Sequence, residues 1–405
     1  MKRQLFVFIQ VLALIFCAGC NQSKINAVDE SHFDEGGHLK DKSEPFEPKR
    51  PNEVKFYVEV SGSMNGFFRA NKATGFKTDL WAIMNKYTAE APDVYILTEN
   101  GKQGMSMSQD NFRTKMNTGA FVSTKSTSVP KMLRTIIDSL NADEVAVFVS
   151  DMRYSPVGDM APDVLLKQYS TDIRNILCES GKAICLVGAT SDFLDKKGNA
   201  VTFESPYYYL IIGNGRQVAE VRNTLSELLQ KQKHFIDNIE SGFDYGRAAY
   251  SFDIPNKCVQ LDDEPTFTTY EDEEAGDTCT IKLKVDLRNY RWSMRNKYVF
   301  KNSFSVEALY GSLVRVGNID TSADTVAIVE LKVSYMPQRT EVLEWTLDLP
   351  LTDTKRFAKY FGGAMDEGDV TKSYSVSDFV KGMFSEDGKR KTLEPNYILI
   401  SKNDN

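Results

Sequence analysis

The apolar positions change period twice along the chain. Val54 to Val60 form an almost continuous apolar run, β-branched and aromatic, interrupted only by Lys55 and Glu59. Such a run reads as a buried strand. It stops at Ser61-Gly62-Ser63-Met64, a small polar loop. From Thr78 to Ala89 the spacing is helical, with Leu80, Trp81, Ile83, Met84 and Tyr87 on one side. Asp93 to Leu97 is a second strand run, and Glu99 to Val122 is polar and Met-dotted, consistent with short strands and a turn. Val129 to Leu140 returns to helical spacing, with Pro130 suited to the first turn. Glu144 to Val149 is a strand ending at Ser150-Asp151, and Ala161 to Ser180 is helical. Ala183 to Gly188 and Tyr207 to Ile212 are further strands. Gly213-Asn214-Gly215 reads as a strand-to-helix turn needing positive φ, before a helix from about Gln217 to Lys231. Strands alternating with helices predict an α/β fold, a doubly wound and mainly parallel sheet covered on both faces, over residues 53–240.

From about Ser241 the helical period fades. Thr280 to Leu287, Phe304 to Val316, Thr325 to Tyr335, Glu341 to Leu349 and Tyr397 to Ile400 are strand-like. Several alternate, as in Thr280-Ile281-Lys282-Leu283-Lys284-Val285, so one face is wet. Residues 241–405 are therefore expected to form a β-rich domain, an antiparallel sheet or sandwich, with a short helix near Asp353 to Phe361.

The first 52 residues have a different texture. Lys2 and Arg3 precede a short apolar run, Leu5 to Phe16, and then Cys17-Ala18-Gly19-Cys20. The run is too short for a comfortable membrane span and has the make-up of an export signal over residues 1–19. Ala18-Gly19-Cys20 resembles a bacterial lipobox, although Cys17 stands where that motif usually has Leu. The resemblance implies cleavage before Cys20 and acyl chains, such as palmitate, on its sulfur and amino group. It implies a lipoprotein in the bacterial cell envelope. Asn21 after that Cys favours the outer membrane, facing the periplasm. Residues 20–52 are polar, with Gly36-Gly37, Pro45, Pro48 and Pro51, and read as a flexible tether.

Charge and composition narrow the chemistry. A net charge of −7 over 405 residues leaves no basic footprint, so nucleic acid is not an expected partner. There are three His, and His32 and His38 fall in the tether, which leaves little for a zinc site or a His triad. Four Cys follow the lipobox: Cys178, Cys185, Cys258 and Cys279. Export permits disulfides, and Cys178–Cys185 with Cys258–Cys279 keeps each pair inside one domain; free buried thiols are the alternative. The acidic stretch from Asp262 to Asp277 lacks EF-hand spacing and reads as a solvated loop. Arg288 to Arg295 mixes basic and aromatic side chains and reads as a loop between strands.

The candidate chemistry sits where the first strand ends. Glu59, Ser61 and Ser63 are alternate residues offering a carboxylate and two hydroxyls. These are hard oxygen ligands suited to Mg²⁺, Mn²⁺ or Ca²⁺. Tyr57-Val58-Glu59-Val60-Ser61-Gly62-Ser63-Met64 resembles the first strand and metal loop of the von Willebrand factor A family. Ser126-Thr127-Ser128-Val129 and Phe148-Val149-Ser150-Asp151 match its later motif pieces, in order. The resemblance covers about residues 53–235. It implies a metal-ion-dependent adhesion site: Ser61 and Ser63 on the cation, Thr127 directly or through water, and Asp151 supplying charge. Glu59 stands where the family has Asp, and its extra methylene adds about 1.5 Å of reach. The function so implied is protein binding without catalysis, a partner's Asp or Glu completing the metal shell. A metal-assisted hydrolase using the same loop, and a structural envelope component with a degenerate metal site, are the alternatives.

Overall fold

The computed structural model describes residues 31–42, 44–97, 103–121, 128–154, 162–253, 258–270, 277–323, 325–350, 354–363, 366, 368–384 and 390–403. Cys20 with the export segment, Thr127, and Glu271 to Ala275 of the acidic stretch lie outside them. Among the described residues no helix is long and apolar enough to cross a membrane.

The first half is built on a seven-stranded sheet. Its strands are β1 (Glu53–Glu59), β2 (Asp93–Leu97), β3 (Gln103–Ser108), β4 (Glu144–Ser150), β5 (Ala183–Leu194), β6 (Ala200–Gly213) and β7 (Phe235–Ser241). Their order is β3-β2-β1-β4-β6-β5-β7. Helices α1 (Gly75–Lys86), α2 (Gln109–Thr118), α3 (Val129–Asp138), α4 (Pro162–Ser180) and α5 (Gly215–Gln232) cover it. Apolar residues of α1, α2 and α5 share one core with Phe56, Val58, Val147 and Val149. Those of α3 and α4 share the other with Tyr57, Ala146 and Phe148. The period-two alternation of β1 and β4 thus feeds two helix layers.

The sheet is mixed, and the expectation of a mainly parallel one is corrected. Only β1–β2 and β1–β4 are parallel; β2–β3, β4–β6, β5–β6 and β5–β7 are antiparallel. From β4 to β7 the cause is residues 189–206, which extend two strands into a hairpin closed by a turn at Asp195–Asn199. Apolar runs buried on both faces look alike in either direction. The turn at Gly213 also differs from expectation, because neither Gly213 nor Gly215 has positive φ. Close approach explains Gly213: a Cβ there would stand 2.9 Å from the Glu144 carbonyl oxygen. Asn214 caps α5 by accepting from the Arg216 amide at 3.1 Å.

The second half is β-rich. Strands β8 (Tyr250–Asp253), β9 (Cys258–Gln260), β10 (Thr266–Tyr270), β11 (Asp277–Asp286), β12 (Phe304–Ala308), β13 (Leu313–Asp320), β14 (Val326–Ser334) and β15 (Thr340–Pro350) come first. The short pair β16 (Phe361–Gly362) and β17 (Ser373–Tyr374) follows, then β18 (Arg390–Thr392) and β19 (Asn396–Asn403). One sheet runs β12-β15-β19-β10-β9, with β18 beside β15, and another runs β13-β14-β11-β8. Alternate residues of β11, β14, β15 and β19 point into a shared core, among them Leu283, Leu331, Trp345 and Ile398. Helices α6 (Lys297–Ser303) and α7 (Val376–Gly382) were not expected, and the helix expected near Phe361 is a 3₁₀ turn at Ala358–Tyr360.

Residues 31–52 do not form a free tether. Phe33 pairs across a bridge with Leu39 and packs with Val342, Tyr397 and Leu399. Phe46 joins the larger core at 3% exposure, and its carbonyl accepts from Asn289 Nδ2 at 2.7 Å. Lys49 N donates to the Arg216 carbonyl at 3.0 Å. Two aromatic anchors suffice to hold a stretch whose average composition is polar.

The two halves are continuous. The larger core runs from Phe46 to Ile400 without a break at residue 240. Residues 354–384 return to the first sheet, where Phe357, Val376, Phe379 and Val380 complete the core of α3 and α4.

Candidate functional site

The strand ends β1 and β4 lie side by side because the two strands are parallel and in register, Val58 facing Val149. In open sheets this carboxyl rim is where ligands gather. Beyond β1 the backbone closes at once into a 3₁₀ turn, Gly62–Gly66. That turn brings Ser61 Oγ and Ser63 Oγ to 2.9 Å from each other. Alternation puts Glu59 on the face of Tyr57, where it is fully buried and its Oε2 accepts from Ser150 Oγ. The Ser150 oxygen also accepts from the Met152 amide at 2.7 Å. Glu59 therefore serves to join β1 to the end of β4.

Asp151 meets the serines as the motif order implies. Ser63 is hydrogen-bonded to its carboxylate, and Asp151 is 3% exposed. Burial pushes the Asp151 carboxyl above its ordinary range, while Arg153 and the Ser63 hydroxyl pull it down. Arg153 Nε lies 3.7 Å from Asp151 Oδ2, and the Arg153 amide donates to Oδ1 at 3.1 Å. The same guanidinium reaches away from the sheet, its Nη2 donating to the carbonyls of Asp369 and Lys372 at 2.7 and 2.9 Å. Tyr154 N donates to Ser375 Oγ at 3.2 Å, and Ser205 Oγ to the Val370 carbonyl at 2.5 Å. The returning segment 369–375 is thus fastened along the rim.

Among the described residues, which do not include Thr127, the donor set does not fit a divalent cation. Ser61, Ser63 and Asp151 converge, but the Glu59 carboxylate is engaged with Ser150. A fixed guanidinium already stands against Asp151, where a dication would need the negative charge to itself. Among the described residues no group of three or more His, Cys, Asp or Glu is gathered.

Sequence reading missed a further set of polar side chains around the start of α1. His234 Nδ1 is 2.7 Å from Asp79 Oδ2, which also accepts from Tyr207 Oη at 2.6 Å. Burial raises the Asp79 carboxyl, against the pull of Tyr207 and His234. Ser191 lies nearby but accepts from the Phe76 amide at 2.8 Å, closing the start of α1. Lys77 Nζ donates to the Arg69 and Lys72 carbonyls at 2.7 and 3.0 Å, and burial lowers its pKa. Arg69 Nη2 donates to the Leu194 carbonyl at 3.3 Å. Helical spacing gave α1 its apolar face, but no motif marks an Asp whose His lies 155 residues away.

All four described Cys are free thiols. The Cys178–Cys185 pairing is corrected by the sheet itself. Cys185 points into the core of α1 and α5, while Cys178 is exposed on α4, which packs against the opposite face. Cys258 and Cys279 do meet, thiol to thiol, and Cys258 Sγ lies 3.3 Å from the Thr280 carbonyl. Their hydrogen bond lowers the Cys258 pKa and raises that of Cys279.

Comparison with protein-family models, with curated proteins and with solved structures finds no match.

Proposed function

We propose that this chain is a non-catalytic protein-binding module of von Willebrand factor A-like architecture, carried by a lipid-anchored envelope protein. The supporting observation is the meeting of Ser61 and Ser63 with Asp151 at one rim, from segments far apart in sequence. Arg153 supplies the positive charge that the family resemblance assigns to a metal. In this reading the rim is metal-independent, and the guanidinium bridges Asp151 to the carbonyls of Asp369 and Lys372. The metal-assisted hydrolase reading, which uses the same loop, has less behind it: the Glu59 carboxylate is engaged with Ser150 and Arg153 stands against Asp151.

The test is capture of envelope proteins by the full chain, with and without chelator, beside Ser61→Ala/Ser63→Ala and Asp151→Ala. The expected result is a partner lost with the rim variants and retained with chelator. A partner unaffected by every rim variant would remove the site from the reading. Mg²⁺ or Mn²⁺ is expected to leave the melting temperature of the parent chain unchanged. Stabilisation that saturates with metal would restore the metal-dependent form.

A further inference from the structure

The β-rich half holds a pair of thiols at the seam between its two sheets. Cys258 opens β9, the last strand in the order of one sheet, and Cys279 lies in β11, an inner strand of the other. Both are buried in the same apolar core, Cys258 at 4% exposure and Cys279 at 0%. Cys258 Sγ stands 3.3 Å from the carbonyl of Thr280, the residue after Cys279, and the two thiols are hydrogen-bonded to each other. The strands that carry them are held unequally. β9 is three residues long, and its one ladder among the described residues is with β10. The turn that follows it takes Asp262 and Asp263 to positive φ, 42° and 57°. β11 is ten residues long and is laddered to β14 on one side and β8 on the other. A short edge strand next to a left-handed turn opens before the sheet it borders.

We infer that Cys258 and Cys279 are a dithiol–disulfide pair, with Cys258 the entry thiol and Cys279 the resolving one, whose closure clamps the edge strand β9 to β11. The inference is independent of the rim and of any partner bound there. The chemistry is two successive thiol–disulfide exchanges with a disulfide-bearing oxidant, R–S–S–R. The Cys258 sulfur, having lost its proton, attacks one sulfur of the oxidant. A Cys258–S–S–R mixed disulfide forms, the S–S bond of the oxidant breaks, and the first R–S⁻ leaves and takes up the proton. The Cys279 sulfur then attacks the Cys258 sulfur, and the second R–S⁻ leaves with the Cys279 proton. Two protein thiols are oxidised to one disulfide, and one oxidant disulfide is reduced to two thiols. The order of attack follows from the fold. Opening of β9 uncovers Cys258, whereas Cys279 stays within the ladders of β11. The hydrogen bond between the thiols lowers the Cys258 pKa and raises that of Cys279, which keeps the thiolate at the edge. A resolving thiol already in contact then clears the mixed disulfide. Export, as the N-terminal segment implies, would supply oxidants of this class. The other cysteines serve as internal controls: Cys178 is exposed and open to an adduct, and Cys185 is buried with its thiol pushed up by burial.

The experiment exposes the folded, reduced full chain to glutathione disulfide, quenches it in acid at intervals and maps the cysteine peptides by mass spectrometry. The parent chain is expected to gain a Cys258–Cys279 cross-link while Cys185 stays a thiol. Cys279→Ser is expected to accumulate a glutathione adduct on Cys258, and Cys258→Ser to leave Cys279 unmodified over the same interval. A parent chain in which Cys258 and Cys279 remain thiols while Cys178 is modified overturns the inference, and that result needs no variant. An adduct on Cys279 in Cys258→Ser, matching the one on Cys258 in Cys279→Ser, overturns the order of attack. The clamp has its own readout. The cross-linked parent is expected to melt about 5 °C above the reduced one. Its amide exchange should also be slower across β9 and β10, where Val259 pairs with Thr268. A cross-link that changes neither overturns the clamp.

Discussion

At the scale of single residues, two carboxylates in the first sheet titrate in opposite senses. Glu144 is held down to about 2: its burial alone would raise it, but Lys55 Nζ at 2.6 Å and the Asn141 amides outweigh that. A lowered carboxyl stabilises the fold above its ordinary value of 4.5, and that contribution fades as pH falls from there towards about 2. Lys55→Met is accordingly expected to cost about 1–2 kcal/mol at neutral pH, less than the full shift because the pair is partly screened. Chemical denaturation at neutral and at acid pH should show the difference vanish near pH 2. Asp151 runs the other way, since burial raises it. Where it is ionised, it depends on Arg153. Arg153→Ala should cost about 3 kcal/mol, because it strands a buried charge. The raised carboxyl means that this variant regains stability as pH drops and the proton returns. A loss independent of pH would mean that Arg153 matters only through its bonds to Asp369 and Lys372.

At the scale of elements, the segment before β1 is the sharpest case. Phe46 fits a slot in the larger core, its ring 4.7 Å from that of Tyr245 at a T-shaped angle. Phe46→Ala is expected to destabilise the chain by about 3 kcal/mol and to release residues 31–50 first. Hydrogen exchange would show that release as lost protection at Lys40 and Lys49, whose amides are bonded in the intact strap. Unchanged exchange there would mean that Phe33 alone holds the strap. The strap was illegible because its two anchors are thirteen residues apart in polar surroundings, and period arguments need a window of regular spacing. Where spacing was regular, in β1, β2, β4 and α3 to α5, the elements stand close to where the pattern put them. Strand direction was not legible, because β5 and β6 are equally apolar whichever way they run. At the rim, order along the chain identified Ser61, Ser63 and Asp151. The role of Arg153 comes from carbonyls that only the folded chain assembles.

At the scale of the whole molecule, the halves are tied at two places. Arg222 of α5, fully buried, bonds Glu240 of β7 and Tyr245, and its Nη2 donates to the Arg288 carbonyl at 3.1 Å. Arg291 in turn donates from Nε to the Asn238 carbonyl and from Nη1 to the Pro350 carbonyl, each at 2.9 Å. The basic and aromatic stretch around Tyr290 is thus a joint and not a surface loop. The second tie is the return of residues 354–384, where Phe379 is buried among the core residues of α4. A chain bound this way should unfold as one unit. Trp81 lies against the first sheet and Trp345 inside the second half, so variants keeping only one of them as a fluorescence probe would report the two regions separately. Their denaturation midpoints are expected to coincide. Phe379→Ala, costing about 3 kcal/mol, should move both midpoints together even though the residue touches only the first core. If Trp81 alone shifted, the return segment would belong energetically to the first half. The Arg153 bridge to Asp369 and Lys372 would then be able to open without disturbing the β-rich half, and the rim could exchange its own segment for a partner's.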